Sequence, residues 1–320
     1  MSAVVENYVG GTIINQSITA ELNAAIKSGS TTQMTNALVN AGDYIPLDEC
    51  GEFLNRMLNA VVSYGSVELT QGLIDEGAEV SSLRMFSIKS NPSIPLFETL
   101  FAAGYDFKKP GPKNCGMIKG RSMIHLVIQE GDLVRWLLDH GTPLDLGEPI
   151  YAPRARPPPL LEYCACLGSV DTFNLLKTRG AELTRRCLHM AVGEAASAGI
   201  DPFSTIQQPR ERQGTQESSS CSSYLNDRAE MLRYLVDKLH LDLNGLDSDT
   251  SQFEFWGTPL NYATRRGDSA VAVVKWLLTK GADPTIPSVT GKRARDFVDV
   301  SHGAKILDVL DNYRPDENQA

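Results

Sequence analysis

Apolar positions in this chain come in paired short blocks, and glycines punctuate each pair. In "GTPLNYATRRGDSAVAVVKWLLTKGADPT", beginning at Gly257, Leu260 and Ala263 lie about one helical turn apart and share one face. The small alanine lets a neighbouring helix approach closely. Thr258 is placed to cap that helix by accepting from a free amide, and Pro259 suits its first turn, where a missing N–H leaves nothing unpaired. Gly267 and Gly281 stand where helices should stop, in the left-handed region that glycine enters without strain. The pattern predicts a helix, a tight turn, a second helix and a projecting loop.

With the glycine pair as a ruler, other copies fall into line. "MLNAVVSYGSVELTQGLIDEGAEV" sets Gly65 twelve residues before Gly77, and "LLEYCACLGSVDTFNLLKTRGAEL" sets Gly168 twelve before Gly180. "SMIHLVIQEGDLVRWLLDHGTPL" carries His125 and a shortened second block before Gly141. "LRMFSIKSNPSIPLFETLFAAGYDF" keeps Gly104 and has Pro92 in place of the inner glycine, and "LNAAIKSGSTTQMTNALVNAGDY" has Gly29 and Gly42 one residue too far apart. "CLHMAVGEAA" opens a sixth copy with His189, which "MLRYLVDKLHLDLN" closes after an interruption, and "GKRARDFVDVSHGAKILDVLDNY" reads as an eighth. One copy of about 33 residues is too small to bury its own apolar faces, so the copies must stack.

The run from Thr258 to Thr285 resembles the ankyrin repeat, with Asn261 where the histidine of that pattern usually stands. The resemblance spans roughly Ser17 to Tyr313. It implies an all-α fold, an ankyrin-repeat solenoid of about eight helical hairpins with long projecting loops. The expected organisation is an N-terminal extension over residues 1–16, the array over 17–313 and a tail over 314–320. The worn repeats and the "GKRARDFV" ending look like those of filamentous-fungal ankyrin proteins. The resemblance implies a non-catalytic scaffold or adaptor that holds a protein partner on its loops and first helices, with a regulatory or co-regulator role as one specialisation. His125 and His189 then serve structure, tying neighbouring turns together. The rival expectation is an enzyme or small-molecule binder using a pocket between long loops and inner helices.

Three loops exceed what such a hairpin needs: residues 105–121, 144–159 and 242–256. The first carries Lys108, Lys109 and Lys113 with a single acid, Asp106; the second carries Tyr151, Arg154 and Arg156; the third carries Phe253, Phe255 and Trp256 among Asp242, Asp247, Asp249 and Glu254. These lysines, arginines and aromatics are the expected partner-binding residues, since aromatics and arginines carry a disproportionate share of interface energy and complementary charge steers encounter. The expected partner is acidic opposite the first loop and basic opposite the third. Residues 201–227, rich in Ser, Gln and Arg, are expected to be a disordered insertion within the sixth repeat, with Ser218 to Ser220 as candidate phosphorylation sites.

A hydrophobic fraction of 42% supports a continuous core, and a net charge of -9 argues against direct nucleic-acid binding through a general phosphate-neutralising surface. No basic-then-apolar start and no run of 18 apolar residues is present, so neither a secretory signal nor a membrane span is expected. The expected protein is a monomer of the cytoplasm or nucleus with six reduced cysteines. No catalytic, cofactor-binding or metal-ligating constellation is read. Cys164 and Cys166, two apart on a helix, point about 200° away from each other and cannot share one ion without breaking the helix.

Overall fold

A computed structural model describes residues 8–9, 12–13, 16–110, 120–144, 158–204, 217–247 and 256–314, with side chains from Ser17 onward and, after the insertion, from Ser223. The candidate residues Lys113, Tyr151, Arg154, Arg156, Phe253 and Phe255 lie outside the described residues.

The fold is all-α apart from a two-residue antiparallel ladder, β1 (Tyr8–Val9) on β2 (Thr12–Ile13). Eight helical hairpins follow among the described residues. The first four are α1 (Gln16–Ser28) with α2 (Thr31–Gly42), α3 (Cys50–Tyr64) with α4 (Val67–Asp75), α5 (Met85–Ser90) with α6 (Ile94–Ala102), and α7 (Met123–Leu126) with α8 (Gly131–Asp139). The fifth pairs α9 (Leu160–Leu167) with α10 (Val170–Thr178). The sixth pairs α11 (Arg186–Ser197) with α12 (Glu217–Arg233), which runs into a π-helical turn at Tyr234–Lys238. The seventh pairs α13 (Pro259–Thr264) with α14 (Val271–Thr279) through a 3-10 turn; the eighth pairs a 3-10 turn at Ala294–Phe297 with α15 (Ala304–Asn312).

Contacts divide the chain into an N-terminal unit, Met1–Val127 with Asp132–Leu146, and a C-terminal unit, Ile128–Gly131 with Gly147–Ala320. Within each unit like packs on like. In the N-terminal unit α1 meets α3 and α3 meets α5, while α2 meets α4 and α4 meets α6; in the C-terminal unit α9 meets α11 and α11 meets α13. Successive hairpins therefore bury each other's apolar faces, as the sequence required. The core of the N-terminal unit includes Leu22, Met57, Val61 and Ile88, and that of the C-terminal unit includes Leu161, Val192, Leu260 and Leu277. No helix among the described residues is long and apolar enough to cross a membrane.

Local chemistry sets the helix ends. Thr258 caps α13 by accepting from the Asn261 N–H, with Pro259 in the first turn, as expected. Ser30, Ser66, Ser93 and Ser169 cap α2, α4, α6 and α10 in the same way, each accepting from the backbone N–H three residues on. Gly267 and Gly281 have φ of +69° and +99°, so both helix stops lie in the left-handed region. Gly168 differs, because its cap is extended; its glycine is required by space, since a Cβ there would stand 2.4 Å from Cys164 Sγ.

The insertion departs from expectation. Residues 205–216 lie outside the described residues, but 217–227 belong to α12, a helix and not a disordered tether. The C-terminal half of α12 is packed by the buried Ala229, Met231 and Leu232 and tied by Arg228, whose side chain is 2% exposed and reaches back some sixty residues to α9. A composition poor in branched apolar residues gave no hint of that anchor. Ser218 to Ser220 fall in the part of α12 whose side chains are not described.

Candidate partner-binding face

Equivalent positions recur along the first helices of the hairpins. Counting six residues back from the inner glycine gives His125 from Gly131, Glu162 from Gly168 and Asn261 from Gly267, so a glutamate occupies the histidine position of the fifth repeat. His125 is buried and accepts from the Ser122 backbone N–H at 3.2 Å, with Ser122 Oγ 2.9 Å from the same Nδ1. His189 is buried between the carbonyls of Arg185 and Gly245, each 3.0 Å from a ring nitrogen, and so joins α11 to the loop before the next hairpin. Burial pushes its pKa down; Asp247 and the surrounding carbonyls pull the other way. Asn261 donates to the Trp256 carbonyl at 2.8 Å.

Glu162 carries the unusual substitution. Its carboxylate is buried, accepts from the Thr184 hydroxyl at 2.7 Å and lies 3.4 Å from an Arg186 guanidinium nitrogen. Burial, the largest influence, pushes its pKa above the ordinary 4.5, against the hydrogen bond from Thr184 and the charge of Arg186. The folded protein therefore keeps that proton to higher pH than the unfolded chain, and stability falls as pH rises from 4.5 through the raised value. Glu162→Gln removes this titration. Thermal unfolding at pH 4 and at pH 8 is expected to show the melting temperature of the variant higher relative to the wild type at pH 8 than at pH 4. Parallel profiles would contradict it.

Asp247 pins the base of the third loop. It is buried, and its carboxylate accepts from the N–H groups of Trp256 at 2.8 Å and Gly257 at 3.0 Å and from the Tyr262 hydroxyl at 2.6 Å. Its own N–H donates to the Gly257 carbonyl at 3.0 Å. The acidic third loop is thereby reduced by one charge: Asp247 faces inward and is not presented to a partner. Gly257 has φ +103°, and a Cβ there would meet Asn261 Nδ2 at 2.7 Å and Ser288 Cβ at 2.8 Å, so this close turn admits glycine alone.

Beside the clamp, Trp256 is half-buried against the Tyr262 ring, with centroids 4.6 Å apart. The Arg265 guanidinium lies 4.1 Å over the Trp256 ring, a cation–π stack. Arg265 and Arg266 are both exposed, and the Arg266 guanidinium passes 3.6 Å from where a Cβ on Gly193 would be, so it lies across α11. In the N-terminal unit, Lys108 and Lys109 are exposed at the start of the first loop. Lys109 stands 4.0 Å from Asp106, and Lys108 leans toward Gly141 at the end of α8. That loop leaves from an aromatic cluster in which Phe107 stacks on Phe97 at 4.8 Å and meets Trp136 edge-on at 5.6 Å.

A second polar cluster lies at the other end of the first helices. Cys164 is buried and directed at the Ser169 carbonyl, whereas Cys166 points to Glu194 at 3.8 Å, so the two sulfurs diverge. Burial pushes the Cys166 thiol up to about 12. Glu194 also accepts from the Tyr224 hydroxyl of α12, and Arg228 donates to the carbonyls of Ala165, Cys166 and Gly168. Among the described residues, no three His, Cys, Asp or Glu side chains gather as a metal ion would need.

The geometry is that of a repeat built from capped hairpins with a pinned loop. The sequence model of the ankyrin repeat matches residues 257–289, the stretch that holds the Gly257 turn, α13 and α14. The seventh hairpin of this chain is therefore an ankyrin repeat. Among solved structures, the human ASB11 ankyrin repeat domain is similar at 14% identity over 92% of this chain and 98% of that one, with a TM-score of 0.33. No curated protein matches the chain.

Proposed function

We propose that this chain is a non-catalytic scaffold that holds a protein partner on the first-helix face of its C-terminal unit. Ankyrin repeats generally mediate protein–protein interaction. The observation that carries the reading is the pair of exposed guanidinium groups, Arg265 and Arg266, set beside Trp256 at the foot of a pinned loop. An exposed arginine stacked on an aromatic ring is pre-organised to pair with a carboxylate, and such residues dominate interface energies. Opposite Arg265 and Arg266 the partner segment carries acidic side chains next to an apolar one, in place of the basic segment expected opposite the third loop, whose Asp247 is turned inward. Tyr151, Arg154, Arg156, Phe253 and Phe255 supply further anchors from the second and third loops, and Lys108, Lys109 and Lys113 give the N-terminal unit a separate preference for an acidic segment. A regulatory adaptor or co-regulator acting by protein contact, in the cytoplasm or the nucleus, is the specialisation this reading supports.

The test is affinity purification from the native source with the wild-type chain, Arg265→Glu/Arg266→Glu and Lys108→Glu/Lys109→Glu. One protein is expected to co-purify stoichiometrically with the wild type. Its recovery should fall at least ten-fold with the arginine pair reversed while the circular dichroism spectrum stays unchanged, since each lost charge pair at an interface costs on the order of 1.5 kcal/mol or more. Undiminished recovery with both reversals would refute the proposal.

A further inference from the structure

The N-terminal unit holds a half-open apolar cavity of about 310 Å³ between α2, α3 and α4. It sits on the second-helix side of the hairpins, and none of its residues belongs to the C-terminal docking face. Leu38 of α2 and Leu54 of α3 are only partly covered, Phe53 and Leu73 form the floor, and Cys50 lies at one end. Val39, in its lining, is 68% exposed. One edge is made by α4 and the residue that caps its end, where Glu68, Gly72 and Glu76 follow one another at four-residue spacing and all three are exposed.

That edge is a gap between two carboxylates. Gly72 has ordinary helical backbone, and a Cβ there would meet nothing within 4 Å, so the missing side chain opens the cavity rather than serving a turn. Glu68 and Glu76 stand two turns apart, about 12 Å along the helix. The charge around the cavity is concentrated: residues 16–83 carry nine acidic side chains, Glu21, Asp43, Asp48, Glu49, Glu52, Glu68, Asp75, Glu76 and Glu79, against Lys27 and Arg56. Most of the chain's net charge of -9 therefore lies in the hairpins that form this cavity.

We propose that this groove takes a basic amphipathic helix of a partner protein. One large apolar side chain enters over Gly72, and a Lys or Arg about one turn before and one after it pairs with Glu68 and Glu76. Apolar floor with acidic rim is the complement of such a helix, since the stem of Lys or Arg covers Leu38 and Val39 while its head reaches a carboxylate. The same rim repels an acidic peptide.

The probe is an 18-residue helical peptide of leucine and lysine, with a leucine flanked by lysines four residues to either side, titrated calorimetrically into the full-length chain. A matched peptide with glutamate for lysine is the control. The lysine peptide is expected to bind and to slow alkylation of Cys50 by N-ethylmaleimide at least ten-fold, read site by site by mass spectrometry. Gly72→Leu fills the cavity on a helix that accepts it and is expected to weaken peptide binding at least ten-fold without lowering the melting temperature. Glu68→Gln/Glu76→Gln, exposed and neutral to the core, is expected to weaken it by a similar factor. Equal binding of the glutamate peptide, or full affinity in both variants, would overturn the proposal. So would an apolar dye bound in place of the peptide, or self-association abolished by Gly72→Leu, which would assign the groove to a small apolar molecule or to a second copy. Arg265→Glu/Arg266→Glu is expected to leave this affinity unchanged. A loss there instead of in Gly72→Leu would remove the groove while leaving the C-terminal face untouched.

Discussion

Replacing Arg228 with methionine is expected to lower the free energy of unfolding by about 3–5 kcal/mol, because three carbonyls at the end of a helix lose their donor in a buried place. The side chain crosses from α12 to the carbonyls of Ala165, Cys166 and Gly168, which close α9. The last turn of a helix leaves its carbonyls without intrahelical partners. Here a guanidinium supplies them, and its charge is also favoured at the negative end of the helix. Methionine keeps the apolar stem and so isolates the lost donors. Urea unfolding measures the loss, and amide exchange over residues 217–233 is expected to speed up with it as α12 detaches. A loss under about 1 kcal/mol, with α12 still protected, would show that the helix is held by other contacts.

Asp247→Ala is expected to cost a similar amount, about 3–5 kcal/mol, since two backbone N–H groups and a hydroxyl would be left without an acceptor in a buried site. Trp256, Gly257 and Tyr262 are those donors. Tyr262→Phe removes only one of the three donors and is expected to cost about 1 kcal/mol, while keeping the ring on which Trp256 packs. Chemical denaturation of both variants checks the ratio. Near-equal losses would place the weight of the clamp on the hydroxyl rather than on the backbone amides.

The hairpins were legible because their signals are local. A capping Thr followed by Pro, an apolar pair one turn apart and a glycine stop are each read within ten residues, and they recur closely enough to number the repeats. Glu162 was legible in principle by the same count that places Asn261 and His125, six residues before the inner glycine. Its partner was not, because Arg186 belongs to the next repeat and pairs with it only through stacking. The serine caps of the second helices were available to the same reasoning, since each serine precedes a helix start. What sequence could not show was anchoring over distance: one arginine just past the polar insertion ties α12 to α9, and one aspartate in an acidic loop turns inward. Both are specific hydrogen bonds, which the periodicity of apolar residues does not detect. The groove over Gly72 escaped for the opposite reason, since a mid-helix glycine reads as a weak helix former until its neighbours show the space it leaves.

Docking of a protein on the first-helix face of the C-terminal unit is tested most directly by photo-crosslinking. A crosslinking amino acid is placed at Arg266, and separately at the exposed Lys177 on α10, and the full-length chain is irradiated in its native extract. One discrete crosslinked protein is expected from position 266, competed away by excess unlabelled wild-type chain but not by the Arg265→Glu/Arg266→Glu variant, and none from position 177. Equal crosslinking from both positions, or competition by the charge-reversed variant as strong as by the wild type, would contradict docking on this face.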